Sequence, residues 1–390
     1  MKILHLGKYY DPAVGGIETF LRNLVPEQIR LGNDVRVLVH NEKKGRKSFL
    51  EKKDEVSVYR CRCFGQLVYA PVSPEYPYFL TNVLKEFKPD VLHIHLPNIS
   101  PYWLLCSRTA RKIPWIVHWH SDVVPSAIDK RVSFAYTFYQ ILEKRLLDHA
   151  SYIIPTSKRY LKASQPLLKY RDKCRIVPLG LKIKDAEQVP SKDISSIWSK
   201  NGKYFRILCI GRLTYYKGYE ILIDAISTLK QVNVDVKIIG DGDKKKELEK
   251  KIVSSNVTDS VTLCGKINDK ELERALVGCD CLCLPSVERT EAFGVVLLEA
   301  MAMSKPVIAS DIEGSGVGWV VQHKKTGLLV EPRNAYALAE TITNLSTDRQ
   351  LQKELGKNGF HRVKSCFTVE KIASEIQQVY KGIPLKQQRD

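Results

Sequence analysis

The segment Glu291-Ala292-Phe293-Gly294-Val295-Val296-Leu297-Leu298-Glu299-Ala300 sets two carboxylates eight residues apart around an expected helix start. Glu291 falls in the preceding loop, and Glu299 lies about two turns further on. Gly294 and the residues after it offer N–H groups that no carbonyl of their own helix can reach, which suits a phosphate. A diphosphate would repel both carboxylates unless each met hydroxyls instead. The natural partners of Glu291 and Glu299 are therefore sugar and ribose hydroxyls, with an amphipathic helix carrying surface glutamates as the plainer alternative.

The apolar run Arg206–Gly211 leads into Gly211-Arg212-Leu213-Thr214-Tyr215-Tyr216-Lys217-Gly218, where a helix is expected from about Lys217. Two cations five apart, at the top of a strand and beside a helix start, can neutralise a diphosphate from two directions. A solvated loop would carry the same pattern. Near the N-terminus, Val14-Gly15-Gly16-Ile17-Glu18 follows a first strand. Paired glycines let backbone approach a diphosphate or sugar, although a tight turn would use them equally. The spacing is not GxGxxG, and His40 rather than an acidic residue closes the second strand, which argues against a dinucleotide dehydrogenase.

The run Trp115–His120 ends in HWHSD, and strand alternation puts His118 and His120 on one side with Trp119 on the other. His120, followed by Ser121 and Asp122, could bond a substrate hydroxyl, whereas His118 reads as a structural histidine. Asp241-Gly242-Asp243 imitates a metal-binding DxD but stands between a strand and a Lys-rich helix, so it reads as a turn with a helix cap. The ten cysteines sit within apolar runs without paired CxxC spacing and read as buried reduced thiols. No metal is assigned.

These residues need a framework, and the rest of the chain supplies its outline. A length of 390 residues with 44% hydrophobic content implies two domains. Short apolar runs alternate with helix-length segments, the pattern of parallel sheets covered by helices. In the first half the expected strands are 2–7, 34–40, 56–61, 91–95, 115–120, 152–156 and 174–178, with helices at 17–31 and 133–149. In the second half they are 206–211, 235–240, 260–265, 281–286, 306–310 and 326–330, followed by helices near 348–364 and 368–381. The polar stretch Lys182–Lys203 is the expected linker. The fold class is therefore α/β, with two Rossmann-like doubly wound domains in tandem and ligands at the carboxyl ends of the strands.

Net charge is +18, and residues 1–185 hold 31 Lys plus Arg against 17 Asp plus Glu, while residues 186–390 hold 30 against 26. The basic half implies an anionic partner such as a membrane surface or a phosphorylated acceptor. Basic and aromatic residues form no recognisable nucleic-acid module, so no nucleic-acid partner is expected. No stretch approaches eighteen consecutive apolar residues, and the first residues turn polar early, so the chain is expected to be cytoplasmic and without a transmembrane anchor.

The combination of GGIE, GRLTYYKG, the Glu-x7-Glu within EAFGVVLLEAMAMSKPVIASD, and TGLLVEP resembles glycosyltransferase family 4, retaining enzymes of the GT-B fold. The resemblance spans nearly the whole chain. It implies two Rossmann-like domains facing each other across a cleft. Residues 1–185 would form the acceptor-side domain, 186–365 the nucleotide-sugar-binding domain, and 366–390 a helix and tail crossing back to the first. It also implies that Gly15 and Gly16 lie against the diphosphate and reacting sugar, and that Arg212 and Lys217 bind the diphosphate. Glu291 would face hydroxyls of the transferred sugar, and Glu299 would hold the ribose. Phe293, Gly294, Val295 and Val296 would form the helix-start part of the donor site. His120 matches the histidine that contacts the sugar near the reaction centre, and the base would lie along Gly265-Lys266-Ile267. Glu288-Arg289-Thr290 departs from the pattern, in which a small residue commonly precedes the first glutamate.

DVLHIHLPN, HWHSDVV and GSGVGWVVQHKKTGLLVEP are similar to bacterial mannosyl- and rhamnosyl-type enzymes that extend polyprenyl-diphosphate-linked oligosaccharides. This implies a GDP-mannose donor, with a UDP-hexose as the alternative, a lipid-linked or soluble glycan acceptor, peripheral attachment to an anionic membrane surface, and no cofactor. A sugar phosphorylase or nucleotide-sugar epimerase of the same fold is the rival enzyme, but no cofactor lysine for a phosphorylase is identifiable.

Overall fold

The computed structural model describes residues 1–13, 15–53, 55–67, 70–123, 130–183, 197–198, 204–230 and 232–383. The chain divides into two compact units, Met1–Lys182 with Val369–Asp390, and Ile183–Thr368. Most of the expected linker, residues 184–196 and 199–203, lies outside the described residues.

The first unit runs β1 (Lys2–Leu6), α1 (Gly16–Arg30), β2 (Asp34–His40), β3 (Phe49–Lys53), β4 (Val56–Cys61), the short pair β5 (Gln66–Leu67) and β6 (Ala70–Pro71), α2 (Tyr76–Phe87), β7 (Val91–Leu96), β8 (Trp115–Trp119), α3 (Lys130–His149), β9 (Tyr152–Pro155) and α4 (Lys158–Ala163). Seven strands form one sheet in the order β3-β4-β2-β1-β7-β8-β9. Strands β7 and β8 are buried along their whole length, including the histidines that interrupt their apolar runs. Within this sheet, among the described residues, β3 alone runs antiparallel to its neighbour. Its sequence FLEKK alternates in exposure and carries the charges that keep a sheet edge from pairing further.

The second unit runs β10 (Phe205–Ile210), α5 (Tyr219–Thr228), β11 (Val234–Ile239), α6 (Lys245–Ser254), β12 (Val261–Gly265), α7 (Asp269–Gly278), β13 (Cys281–Leu284), α8 (Val295–Ala302), β14 (Val307–Ser310), α9 (Val317–Val320), β15 (Leu328–Val330), α10 (Ala335–Thr347) and α11 (Arg349–Cys366). Its six parallel strands are ordered β12-β11-β10-β13-β14-β15. Ile207, Leu222, Val236, Ile238 and Ile308 anchor its core, and Cys209, Cys281 and Cys283 pack among them. All ten cysteines are free thiols. Burial of each large aliphatic side chain contributes roughly 1.5–3 kcal/mol.

The last helix, α12 (Val369–Lys381), belongs to the first unit, where it packs on α1. Its buried positions Val369, Ile372, Ala373, Ile376 and Tyr380 recur at helical spacing. Gln28 of α1 donates to the Tyr380 hydroxyl at 2.9 Å, and Asn33 donates to Gln377 at 2.9 Å.

Three local expectations are corrected. The run 174–178 forms a single bridge, Ile153 with Cys174, rather than a strand, because a 3-10 turn over Leu168–Lys173 delivers it beside the short β9. The helix expected from Lys217 begins at Tyr219, since Gly218 takes a left-handed φ of +67° that ends the preceding 3-10 turn. Asp243 caps nothing: the N-cap of α6 is Lys244, and Asp241 instead accepts from the N–H of Gly242 at 2.9 Å.

Candidate functional site

In the second unit the strand order reverses between β10 and β13, the two central neighbours, and sheets of this kind take ligands outside the carboxyl ends of the strands at such a point. The loops leaving those two strands are joined. Val287 N–H donates to the Tyr216 carbonyl at 2.8 Å, and Gly218 approaches Pro285 so closely that a Cβ would stand 2.0 Å from its carbonyl oxygen. Gly211, at φ +154°, leaves room for Lys217 to fold across it, since a Cβ there would lie 2.9 Å from Lys217 Cε.

These two glycines let Lys217 reach Glu291. Its Nζ donates to Glu291 Oε2 at 2.6 Å, and the two residues are only 8% and 9% exposed. Ser286 Oγ donates to the same carboxylate oxygen at 3.1 Å, and Ser315 Oγ donates to the Glu291 backbone carbonyl. Burial opposes the charge on Lys217, but the Glu291 carboxylate outweighs it and raises the ammonium above the ordinary lysine range. The irregular Glu288-Arg289-Thr290 sequence has a structural use: Glu288 accepts from the Tyr215 hydroxyl and, at 2.7 Å, from Thr290 Oγ1. It thereby ties the loop carrying Glu291 to the loop carrying Lys217. Arg212 is exposed, and its guanidinium donates to the Tyr216 hydroxyl at 3.3 Å.

Gly294, at φ +79°, precedes the first turn of α8, where Val295 and Val296 are half-buried. The Phe293 ring is turned inward against Trp319 and Phe367, at centroid distances of 6.2 and 6.1 Å, so only its backbone remains for a ligand. Glu299 is half-buried on α8. Along the same sheet edge, Gly240 N–H donates to the Gly265 carbonyl at 2.9 Å, and a Cβ on Gly240 would meet the Gly211 carbonyl oxygen at 1.9 Å. The ends of β10, β11 and β12 therefore form one continuous rim. Gly265 has φ +70° with open space where a side chain would stand, while Lys266 is exposed and Ile267 half-buried.

In the first unit, Gly15 is extended at the N-cap of α1, which has no side-chain cap, and Gly16 opens the helix. A Cβ on Gly15 would stand 2.2 Å from Glu18 Oε2, so that carboxylate folds over the glycine. Val14 lies outside the described residues. His40 is held by the Lys8 carbonyl and Ser100 Oγ, each at 2.8 Å. His120 stacks on His118 at 4.4 Å, and its Nε2 meets His95 Nδ1 at 3.0 Å. Asp122 serves the scaffold, accepting from Trp119 Nε1 and Ser164 Oγ at 2.7 Å each.

Sequence reasoning passed over Ser286, Tyr215, Glu288 and Ser315, which hold Glu291 in place, and over His5, His93 and His95. The alternation that singles out HWH also runs through VLHIH, and was the available signal for the latter pair.

Comparison with known proteins agrees with this architecture. Residues 190–362 match the model of the family "Glycosyl transferases group 1", and residues 15–180 match "Glycosyl transferase 4-like domain". The chain is 28% identical over 389 residues to O-antigen chain mannosyltransferase C of Escherichia coli, covering 97% of this chain and 98% of that one. It is 30% identical over 376 residues to D-rhamnosyltransferase WbpZ of Pseudomonas aeruginosa, covering 94% and 92%. Among solved structures, sucrose-phosphate synthase from Thermosynechococcus elongatus superposes with a TM-score of 0.81 at 24% identity, covering 97% of this chain and 98% of that one. Anabaena HepE in complex with UDP and glucose superposes with a TM-score of 0.74 at 22% identity, covering 98% and 99%. With both halves matched and full-length relatives in hand, the chain belongs to the group 1 glycosyl transferases and is a glycosyltransferase of the GT-B fold.

Proposed function

We propose that this glycosyltransferase is a retaining hexosyltransferase that moves mannose from GDP-mannose onto a polyprenyl-diphosphate-linked oligosaccharide during surface polysaccharide synthesis. The observation that carries the donor site is the buried Lys217–Glu291 pair at the point where the strand order reverses. An ammonium has three donors, and Glu291 takes one, leaving Lys217 able to bind the leaving diphosphate. The other oxygen of Glu291 accepts from hydroxyls of the transferred sugar. Arg212 and the helix-start N–H groups of Gly294, Val295 and Val296 add positive potential, with the backbone of Phe293 alongside. Glu299 holds the ribose, Gly265-Lys266-Ile267 line the base, Gly15 and Gly16 admit the diphosphate and sugar, and His120 contacts the sugar.

In the reaction so arranged, the acceptor hydroxyl attacks on the face that the nucleotide leaves. The new C–O bond forms as the bond to the diphosphate breaks, and a phosphate oxygen takes the hydroxyl proton. The protein contributes charge stabilisation and orientation, with no metal and no cofactor.

The two relatives named for mannosyl and rhamnosyl transfer support the donor. A UDP-hexose is the second reading, favoured by the fold neighbour crystallised with UDP and glucose. A thermal-shift panel of GDP, UDP and their sugars decides between them, since a ligand at one hundred times its dissociation constant stabilises by about 2.7 kcal/mol. Stabilisation by GDP and GDP-mannose is expected. A response to UDP-hexoses alone transfers the assignment to them, and no response to any nucleotide overturns the donor site.

The acceptor is lipid-linked, and the basic first unit holds the enzyme at an anionic membrane surface. No helix among the described residues is long and apolar enough to cross a membrane. On α3, Phe138, Ile141 and Leu142 are exposed next to exposed Lys144 and Arg145, the mixture that suits an interface. Each basic residue near an anionic leaflet contributes about 1 kcal/mol. Co-sedimentation with anionic but not neutral vesicles, reversed by salt, is expected; equal recovery with both ends the membrane assignment.

A further inference from the structure

Five histidines gather on one face of three adjacent strands: His5 on β1, His93 and His95 on β7, His118 on β8, and His120 directly after the end of β8. All are buried. Their rings stack, 3° apart for His93 and His95, 6° for His118 and His120 and 22° for His95 and His120, with His5 tilted 26–27° from His93 and His95. Ring nitrogens meet in series. His120 Nε2 faces His95 Nδ1 at 3.0 Å, His95 Nε2 faces His5 Nδ1 at 2.9 Å, and His93 Nε2 faces His118 Nδ1 at 3.2 Å. His5 Nε2 faces Gln28 Oε1 at 2.7 Å, and His93 Nδ1 meets the Tyr380 hydroxyl.

Neutral imidazole has one donor and one acceptor nitrogen, so each ring passes on whatever direction its neighbour imposes. Gln28 imposes one, because its two ends are chemically different. Its Oε1 only accepts, so His5 carries its proton on Nε2 and leaves Nδ1 to accept from His95 Nε2. His95 Nδ1 must then accept from His120 Nε2. At its other end, Gln28 Nε2 donates to the Tyr380 hydroxyl. That hydroxyl is left to donate to His93 Nδ1, and His93 Nε2 donates to His118 Nδ1. The series terminates at His120 Nδ1 and His118 Nε2, and these two are the buried ring nitrogens without a partner among the described residues.

We infer that His120, His95, His5, Gln28, Tyr380, His93 and His118 form one directed hydrogen-bond chain that holds His120 as the neutral Nε2–H tautomer with an unprotonated Nδ1. Gln28 and Tyr380 are positioning residues that act through the rings between them. The functional consequence rests on the reading that His120 faces the transferred sugar. There its open Nδ1 can only accept, so it takes a hydrogen bond from a sugar hydroxyl. Its neutrality also spares the positive charge that develops on a departing sugar from a facing imidazolium. Burial supports neutrality throughout, lowering His5 to about 4 and His120 to about 3.

A metal is the competing use of such a cluster, since nitrogens of His5, His93 and His95, and of His95, His118 and His120, lie within 4.8 Å of one another. A tetrahedral ion needs lone pairs converging on one point. Here the lone pairs of His5, His93, His95 and His118 already accept hydrogen bonds, which leaves that of His120, one ligand where a tetrahedral ion needs four.

The test is a two-bond proton–nitrogen correlation spectrum of the intact protein labelled with 15N-histidine, recorded at neutral pH without ligand. All five rings are expected as the neutral Nε2–H form. A proton on Nδ1 of any of them, or an imidazolium, overturns the chain, as does concerted displacement of three of the signals on adding Zn²⁺. In Gln28→Leu, His120 is expected to lose its single form and show both neutral tautomers; an unchanged His120 in the folded variant removes Gln28 from the assignment. If that variant does not fold, Tyr380→Phe is expected to give the same mixture at His93 and His118, and unchanged signals there break the chain at Tyr380. These spectra need no donor, so they stand apart from the donor-site reading, which fails separately if His120→Ala transfers sugar at the wild-type rate.

Discussion

The two sheets share a plan and differ in electrostatics. Setting aside the antiparallel edge strand β3, the first unit orders its strands β4-β2-β1-β7-β8-β9 and the second β12-β11-β10-β13-β14-β15, so both reverse direction beside their first strand. At the reversal the second unit buries opposite charges, Lys217 with Glu291, over glycines that let backbone come close. The first unit instead buries five neutral imidazoles that satisfy one another. A buried ion pair is costly to dehydrate and weak evidence of stabilisation, so its presence at a crevice points to a ligand. The neutral stack has another logic: each ring orients the next, and the result is geometry rather than charge. One topology thus carries a buried charge pair on one sheet and a series of hydrogen-bonded imidazoles on the other.

Acid should separate the two regions most strongly. Burial lowers His5 and His40 to about 4 and His120 to about 3, and holds His93, His95 and His118 well below the ordinary histidine value. Their folded pKa values are depressed, so the stability they contribute is present above about pH 6.5 and is lost as pH falls towards 4. Each ring contributes up to about 1.4 kcal/mol per pH unit over that window. Urea unfolding at pH 7, 6 and 5 should show a steep, cooperative loss, and a flat profile would mean that the rings do not fold neutral.

The charged sheet should break next. Lys217→Ala and Glu291→Ala should each lower transfer by roughly 10²-fold or more. Both residues are buried and paired, so each single change should also cost about 3–5 kcal/mol. The double change Lys217→Met with Glu291→Leu should recover most of that stability without recovering transfer. If either single variant works at the wild-type rate, the charged sheet is not the donor site.

Gly218→Ala tests the close approach of the two loops in the second unit. With a left-handed φ of +67° and the Pro285 carbonyl oxygen 2.0 Å from the added carbon, backbone strain and overpacking together should destabilise the protein by about 2–5 kcal/mol. Gly265→Ala, at φ +70° in open space, should cost only the backbone strain of about 1–2 kcal/mol. Equal losses from the two changes, measured by denaturant unfolding, would remove the argument from loop contact. The smallest expected effect is that of EDTA, which should leave transfer unchanged if Lys217, Arg212 and helix-start amides meet the diphosphate as proposed. Activity abolished by EDTA and restored by Mg²⁺ or Mn²⁺ would replace fixed protein charge with a metal.

Apolar runs of the right length, alternating with amphipathic stretches, already determine two parallel α/β sheets, because strands buried on both faces are mostly apolar. The same reading finds the glycines, cations and carboxylates at strand ends, since those residue types stand out locally in Gly211–Gly218 and Glu291–Glu299. It misses β3, whose charged edge pattern FLEKK lacks an apolar signature, and it continues a strand through 174–178, where a 3-10 turn leaves a single bridge. Pairing is what only the tertiary structure decides. Lys217 and Glu291 are 74 positions apart, and their contact depends on β10 and β13 lying side by side and on Gly218 passing under Pro285. His5 and His95 come from β1 and β7 and His120 from the residue after β8, and the Tyr380 that completes their series arrives on a helix 352 positions from Gln28. Local sequence can state which groups are available to donate or accept, but the direction of a hydrogen bond exists only once the fold has set both ends of it.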